Sequence, residues 1–139
     1  MPPIDATNYR PVDPIWSDFY RWRVTVKRNT DEGTETLITN LRVVIERPAG
    51  QLRFGMIIVT PAYTHRVFLA YRYLNPQTGD QLLITPELLR EGDILEGTYD
   101  GVPIRLVVTR RTNPAELNTY ITLECNTSEA GTELERLNP

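Results

Sequence analysis

Regular alternation begins at Arg21. Trp22, Val24 and Val26 fall on one side of the chain, and Arg21, Arg23, Thr25 and Lys27 on the other, as a half-buried strand requires. The turn cluster Asn29-Thr30-Asp31-Glu32-Gly33 follows, and a second strand runs through Leu41, Val43 and Ile45 to stop at Pro48-Ala49-Gly50. Arg66–Tyr73 alternates again, with Val67, Leu69, Tyr71 and Tyr73 against Arg66, Phe68, Ala70 and Arg72. The turn Asn75-Pro76-Gln77-Thr78-Gly79-Asp80 closes that stretch. The clearest hairpin joins Ile94–Tyr99 to Val102–Thr109 through Asp100-Gly101, a pair suited to a type I′ turn. Arg110–Asn118 reads as a polar loop, and Tyr120–Cys125 as a last strand with Ile121, Leu123 and Cys125 inward.

Four segments depart from alternation. Thr85–Gly92 predicts a single-turn helix, with Thr85 as cap, Pro86 at the first helical position and Gly92 at the end. Gln51–Tyr63 is a mixed run centred on Phe54-Gly55-Met56-Ile57-Ile58-Val59 and bracketed by Gly50 and Pro61. Met1–Tyr20 reads as an arm, with Pro2, Pro3, Pro11 and Pro14, and with Trp16, Phe19 and Tyr20 needing cover from the chain itself or a neighbour. Thr127–Pro139 is an acidic tail. The division is therefore an arm over 1–20, a β-barrel domain over 21–126 and a tail over 127–139. The fold class is mainly β, a small antiparallel β-barrel with one short helix and extended N- and C-terminal arms.

Composition agrees. Val, Ile and Thr fill 37 of the 139 positions and Ala only 6, which argues against a helical bundle. The net charge of −3 advertises no general affinity for nucleic acid, and residues 1–20 and 127–139 each carry −2 of it. The 14 Arg against a single Lys27 suit interfaces, although Arg-rich codon choice explains them equally well. One cysteine excludes a disulfide within the chain, and one cysteine with one histidine argues against a protein-only zinc site. No secretory core or membrane span is legible, so a soluble protein made in a cytoplasm is expected.

Candidate chemistry is sparse. His65 stands beside Arg66 with no orienting carboxylate in view, and a structural role is expected of it. Cys125 ends an inward-facing strand and reads as core, while Asp31 and Glu32 lie in a solvated turn. Asn126-Thr127-Ser128 fits the glycosylation pattern but lacks a secretory context. No catalytic, metal or cofactor-binding residue is expected, and the chain is read as a binding or assembly module, not an enzyme.

Three stretches in order resemble the phage head–tail joining family, also called head-closure or stopper proteins. Tyr20–Arg28, a basic alternating segment before a polar turn, is similar to the family's opening strand. Thr64-His65-Arg66-Val67-Phe68-Leu69-Ala70-Tyr71-Arg72 resembles its most recognisable stretch, with a His-Arg start and a Tyr-Arg end. Tyr99–Val108, followed by a polar loop and Tyr120–Cys125, is similar to its closing hairpin and last strand. The resemblance implies a virion protein of the neck, at the head–tail interface, made in the host cytoplasm. It implies a ring of identical subunits below a portal–adaptor complex and above a tail terminator or tail tube protein, with transient contact to packaged DNA and none to membrane.

The loop that reaches the channel in relatives carries over to Gln51–Tyr63. Gln51, Leu52, Arg53, Phe54, Gly55, Met56, Ile57, Ile58 and Val59 are then the candidate channel and inter-subunit residues, and Trp16, Phe19 and Tyr20 the candidate partner-binding arm. An ordinary buried strand of the barrel is the competing reading of 51–63. A tail terminator or another neck ring protein is the alternative function. A small-ligand-binding barrel is the alternative from a different class.

Overall fold

The computed structural model describes residues 2–12, 20–48, 52–59, 63–113 and 120–127. Over these residues the chain forms β1 (Ile4–Asp5), β2 (Arg10–Pro11), β3 (Trp22–Thr30), β4 (Gly33–Glu46), β5 (Leu52–Phe54), β6 (Ile57–Val59), β7 (His65–Ala70), β8 (Arg72–Leu74), β9 (Gln81–Leu83), β10 (Ile94–Tyr99), β11 (Val102–Thr112) and β12 (Tyr120–Thr127). The fold is mainly β, and no helix occurs among the described residues.

The largest sheet runs β1-β4-β3-β10-β11-β12-β7, and β7 also pairs with β4. The pairings of β4, β3, β10, β11, β12 and β7 therefore return to their starting strand. All of them are antiparallel, while β1 adds to β4 in parallel. Alternate positions of these strands supply a buried cluster, with Val24, Val26, Leu41, Val67, Leu69, Leu95, Leu106, Ile121 and Leu123 all nearly inaccessible. Gly97 belongs to the same face. A Cβ there would stand 2.8 Å from the Arg23 carbonyl oxygen and 3.1 Å from Val24 Cγ1, so β3 and β10 approach more closely than any other residue permits.

Strand β4 begins at Gly33, well before Leu41 where alternation becomes clean. Val24 pairs with Leu41 and Val26 with Ile38, so Thr39 and Asn40 together oppose Thr25. Asn40 takes a left-handed φ of 58°, which is tolerable for Asn. The extra residue brings both Ile38 and Leu41 inward and hides the strand from a period-two reading. A second bulge, at Thr109, lets β11 run on to Thr112. Part of the expected polar loop at 110–118 is thus paired, and 114–119 lie outside the described residues. The Asp100-Gly101 turn follows its sequence, with φ of 51° and 80° at the two residues and Tyr99 paired to Val102.

The stretch expected to alternate from Arg66 to Tyr73 breaks at Tyr71. β8 leaves the ring and forms a three-stranded sheet, β2-β8-β9. Ala70 is buried and Tyr71 only half-buried, the reverse of the alternation, while Tyr73 is buried as expected. The Tyr73 hydroxyl fixes the break, donating to the Arg42 carbonyl and accepting from the Ala70 N–H at 3.4 Å.

Two expectations are corrected. The first is the single-turn helix. The N–H groups of Leu88 and Leu89 both bond the Thr85 carbonyl, at 2.9 and 3.0 Å, and the turn stops there. The Arg90 N–H, which would extend a helix, donates instead to Asp93 Oδ2 at 2.9 Å. The second is the N-terminal arm, read as an extension beyond the barrel with a partner-binding second half, whose described residues pack on this chain. Ile4 and Asp5 pair with Ile38 and Thr39, and Arg10 and Pro11 with Leu74 and Tyr73. Ala6 and Tyr20 are buried in this chain's own core. Proline did not prevent pairing, because Pro11 sits in a two-residue strand where one missing donor matters little.

Candidate functional site

β5 and β6 pair with each other and with no other strand described. Leu52 faces Val59, Arg53 faces Ile58 and Phe54 faces Ile57. Gly55 and Met56 make the turn, and only Gly55 of the two has positive φ, at 63°. That is the pattern of a type II′ turn, in which Gly takes the first central place. Met56 at the tip is 100% exposed. In its backbone pairing the described segment is a hairpin of its own and not a strand of the main sheet.

The residue before β7 is pinned to the end of β12. The Thr64 N–H donates to the Cys125 carbonyl and to Asn126 Oδ1, both at 3.0 Å, and the Thr127 N–H donates to Thr64 Oγ1 at 2.9 Å. The Arg66 guanidinium lies 5.0 Å from the Tyr63 ring centroid and 5.9 Å from that of Phe68, and it hydrogen-bonds the Tyr63 hydroxyl. His65 is buried, with Nδ1 3.0 Å from Thr64 Oγ1 and its ring at 85° to Tyr99 across 5.9 Å. Tyr99 in turn stacks on Trp22 at 5.7 Å. β7 therefore begins next to an aromatic group drawn from β3, β7 and β10.

Elsewhere several titratable residues hold loops to strands. Asp93, only 1% exposed, accepts both arms of Arg28 at 2.8 and 2.9 Å. Arg28 also donates to the Glu87 carbonyl at 3.0 Å, and the Asp93 hydrogen bonds raise its pKa above the usual arginine value. Arg111 donates to the carbonyls of Ile84 and Leu89, tying the 85–89 turn to β11. An open depression of about 480 Å³ beside that turn is lined by Pro86, Arg90, Glu91, Arg111 and Asn113. Burial pushes the Cys125 thiol up to about 12. No group of three or more His, Cys, Asp or Glu able to hold a metal occurs among the described residues.

Of the residues predicted from sequence, Leu52 to Val59 lie together in the hairpin, while Gln51, Trp16 and Phe19 fall outside the described residues. Tyr20 is core, 6% exposed, and separated in role from the hairpin. The Arg28–Asp93 pair joins residues 65 positions apart and left no signal in the sequence beyond two ordinary charges. Among the described residues no helix is long and apolar enough to cross a membrane. No family model matches the chain, and no match is found among curated proteins.

Proposed function

We propose that this chain is a structural protein of the neck of a tailed phage. In this reading its closed strand ring is a small β-barrel, and copies of it assemble as a larger ring beneath a portal–adaptor complex. That ring closes the DNA channel and docks a tail terminator or tail tube protein. The observation that carries the reading is the β5–β6 hairpin, which pairs with no described strand of the ring and exposes Met56 at its tip. A two-stranded hairpin with three residue pairs is marginal alone in water. Its sequence, Leu52-Arg53-Phe54-Gly55-Met56-Ile57-Ile58-Val59, is too apolar for a solvated loop. Pairing edge to edge with the same hairpin of neighbouring subunits would supply both hydrogen bonds and cover. The segment order Tyr20–Arg28, Thr64–Arg72 and Tyr99–Cys125, which resembles head-closure proteins, supports the same reading.

The ligand-binding alternative is weaker, because the buried apolar cluster occupies the inner face of the strands and such barrels keep that space for a guest. The test is co-assembly. Mixed with a portal–adaptor complex, the chain should co-sediment as a ring, even where it is monomeric alone by light scattering. A chain that stays monomeric at every concentration, with and without that complex, overturns the proposal. With a net charge of −3, binding to DNA is expected to be weak and without sequence preference.

A further inference from the structure

One end of the strand ring carries an aromatic rim. β3 begins there at Trp22, β7 at His65 and β11 at Val102, and β10 ends there at Tyr99. Tyr99 and Val102 are the last rung of the β10–β11 ladder, and they share a face with the buried rung Leu95–Leu106. Trp22, two positions before buried Val24, belongs to that inner face as well. Tyr99 stacks on Trp22 and meets the His65 ring edge-on, so the side chains form one continuous patch. Trp22, Tyr99 and Ile104 pack on the core from its margin and are only partly buried. Val102, at the outermost position, is 61% exposed.

The large apolar side chains most open to water among the described residues are Met56, at the hairpin tip, and Val102. Neither covers the other within one chain, so both are available to a second copy. A thioether makes favourable contacts with aromatic rings, and the rim offers two of them. The charges match too. Arg53 is the one charged residue of the hairpin 52–59, and Asp100 is the one charged residue of 97–104. Asp100 is exposed in its turn, while Arg23 and Arg105 occupy the alternate, outward positions of their strands. Edge pairing of hairpins uses backbone groups and leaves the tip for side-chain contact. A tip and a receiving surface at different places on one molecule make a heterologous contact, which closes into a ring when the rotation between copies allows it.

We propose that the hairpin tip of one copy, at Met56, docks on the Trp22–Tyr99–Val102 rim of the next copy, with Arg53 beside Asp100. This inference rests on the neck reading and supplies the head-to-tail contact of its ring. It is tested by assembling an equal mixture of Met56→Cys and Val102→Cys full-length chains on a portal–adaptor complex and treating the rings with a bismaleimide. Cys125 is buried with its thiol pushed up to about 12, so the native cysteine stays silent. Dimers cross-linked between positions 56 and 102 are expected, and because each variant sits on a different chain they report contact between copies. Val102→Asp should weaken co-assembly roughly tenfold or more, by placing a charge in an apolar contact, and leave the Tm of the monomer unchanged. Val12→Asp, at an exposed valine of the three-stranded sheet, should leave co-assembly as it is. Rings that co-sediment without any 56–102 product, or that form equally well with Val102→Asp, overturn this inference and leave the neck reading standing. Wild-type chain that fails to co-sediment with the complex overturns both.

Discussion

Single buried polar groups hold this small protein's loops to its strands. Asp93 is the clearest case, since it takes Arg28 with both carboxylate oxygens and also caps the Arg90 N–H. Replacing it by alanine leaves a guanidinium with 16% side-chain exposure and a backbone donor unmatched. Asp93→Ala should destabilise the fold by about 3–5 kcal/mol, read from urea denaturation. Cys125 and Tyr73 act in the opposite pH direction to most acids. Burial raises both, Cys125 from 9.0 to about 12 and Tyr73 well above 10.0. The folded state therefore keeps these protons more tightly than the unfolded chain. The Cys125 contribution is complete below pH 9 and is lost as pH rises from about 9 through about 12, and that of Tyr73 is complete below its ordinary 10.0 and lost above it. The urea midpoint should be flat between neutral pH and that threshold and fall above it. Iodoacetamide should label Cys125 at mildly alkaline pH only after unfolding.

At the scale of elements, the unexpected partners are the two shortest strands. β1 and β2 contain two residues each, yet they close over β4 and β8 and place Ala6 in the core, with its N–H on the Thr39 carbonyl at 2.8 Å. Deleting residues 1–12 uncovers the edges of β4 and β8 and should lower the Tm of the isolated monomer. An unchanged Tm would return this segment to the role of an arm for neighbours. The 85–89 turn shows the same dependence on partners. Its carbonyls belong to Arg111 and its next donor to Asp93, so local helix signals yield to contacts from β11 and from the turn leading into β10.

For the whole molecule, the described strand ring and the β5–β6 hairpin form separate hydrogen-bonded sheets. Ile57→Asp together with Ile58→Asp should leave the urea midpoint of the monomer nearly unchanged, because β6 joins no strand of the main sheet. In the proposed neck, the same variant should abolish co-assembly and let filled heads lose DNA before tails attach. Loss of cooperative unfolding in the monomer would place these side chains in the core and remove the hairpin as an assembly device.

What the sequence determined by itself was whatever depends on neighbours along the chain. Alternation at 22–26, 67–69 and 121–125 located three strands and their inward faces, and Asp100-Gly101 specified its turn through backbone geometry local to two residues. The apolar run at 52–59 was legible as an anomaly, though not as a hairpin, since periodicity cannot say which strand a short run will pair with. Tertiary structure decided the rest. The bulge at Asn40 and the break at Tyr71 shift the inward phase, and each is held by groups distant in sequence: Thr7 and Asp5 on Asn40, Arg42 on Tyr73. The cross-strand arginine pair is of the same kind. Arg23 and Arg42 are unremarkable apart, and only the β3–β4 register sets them opposite each other.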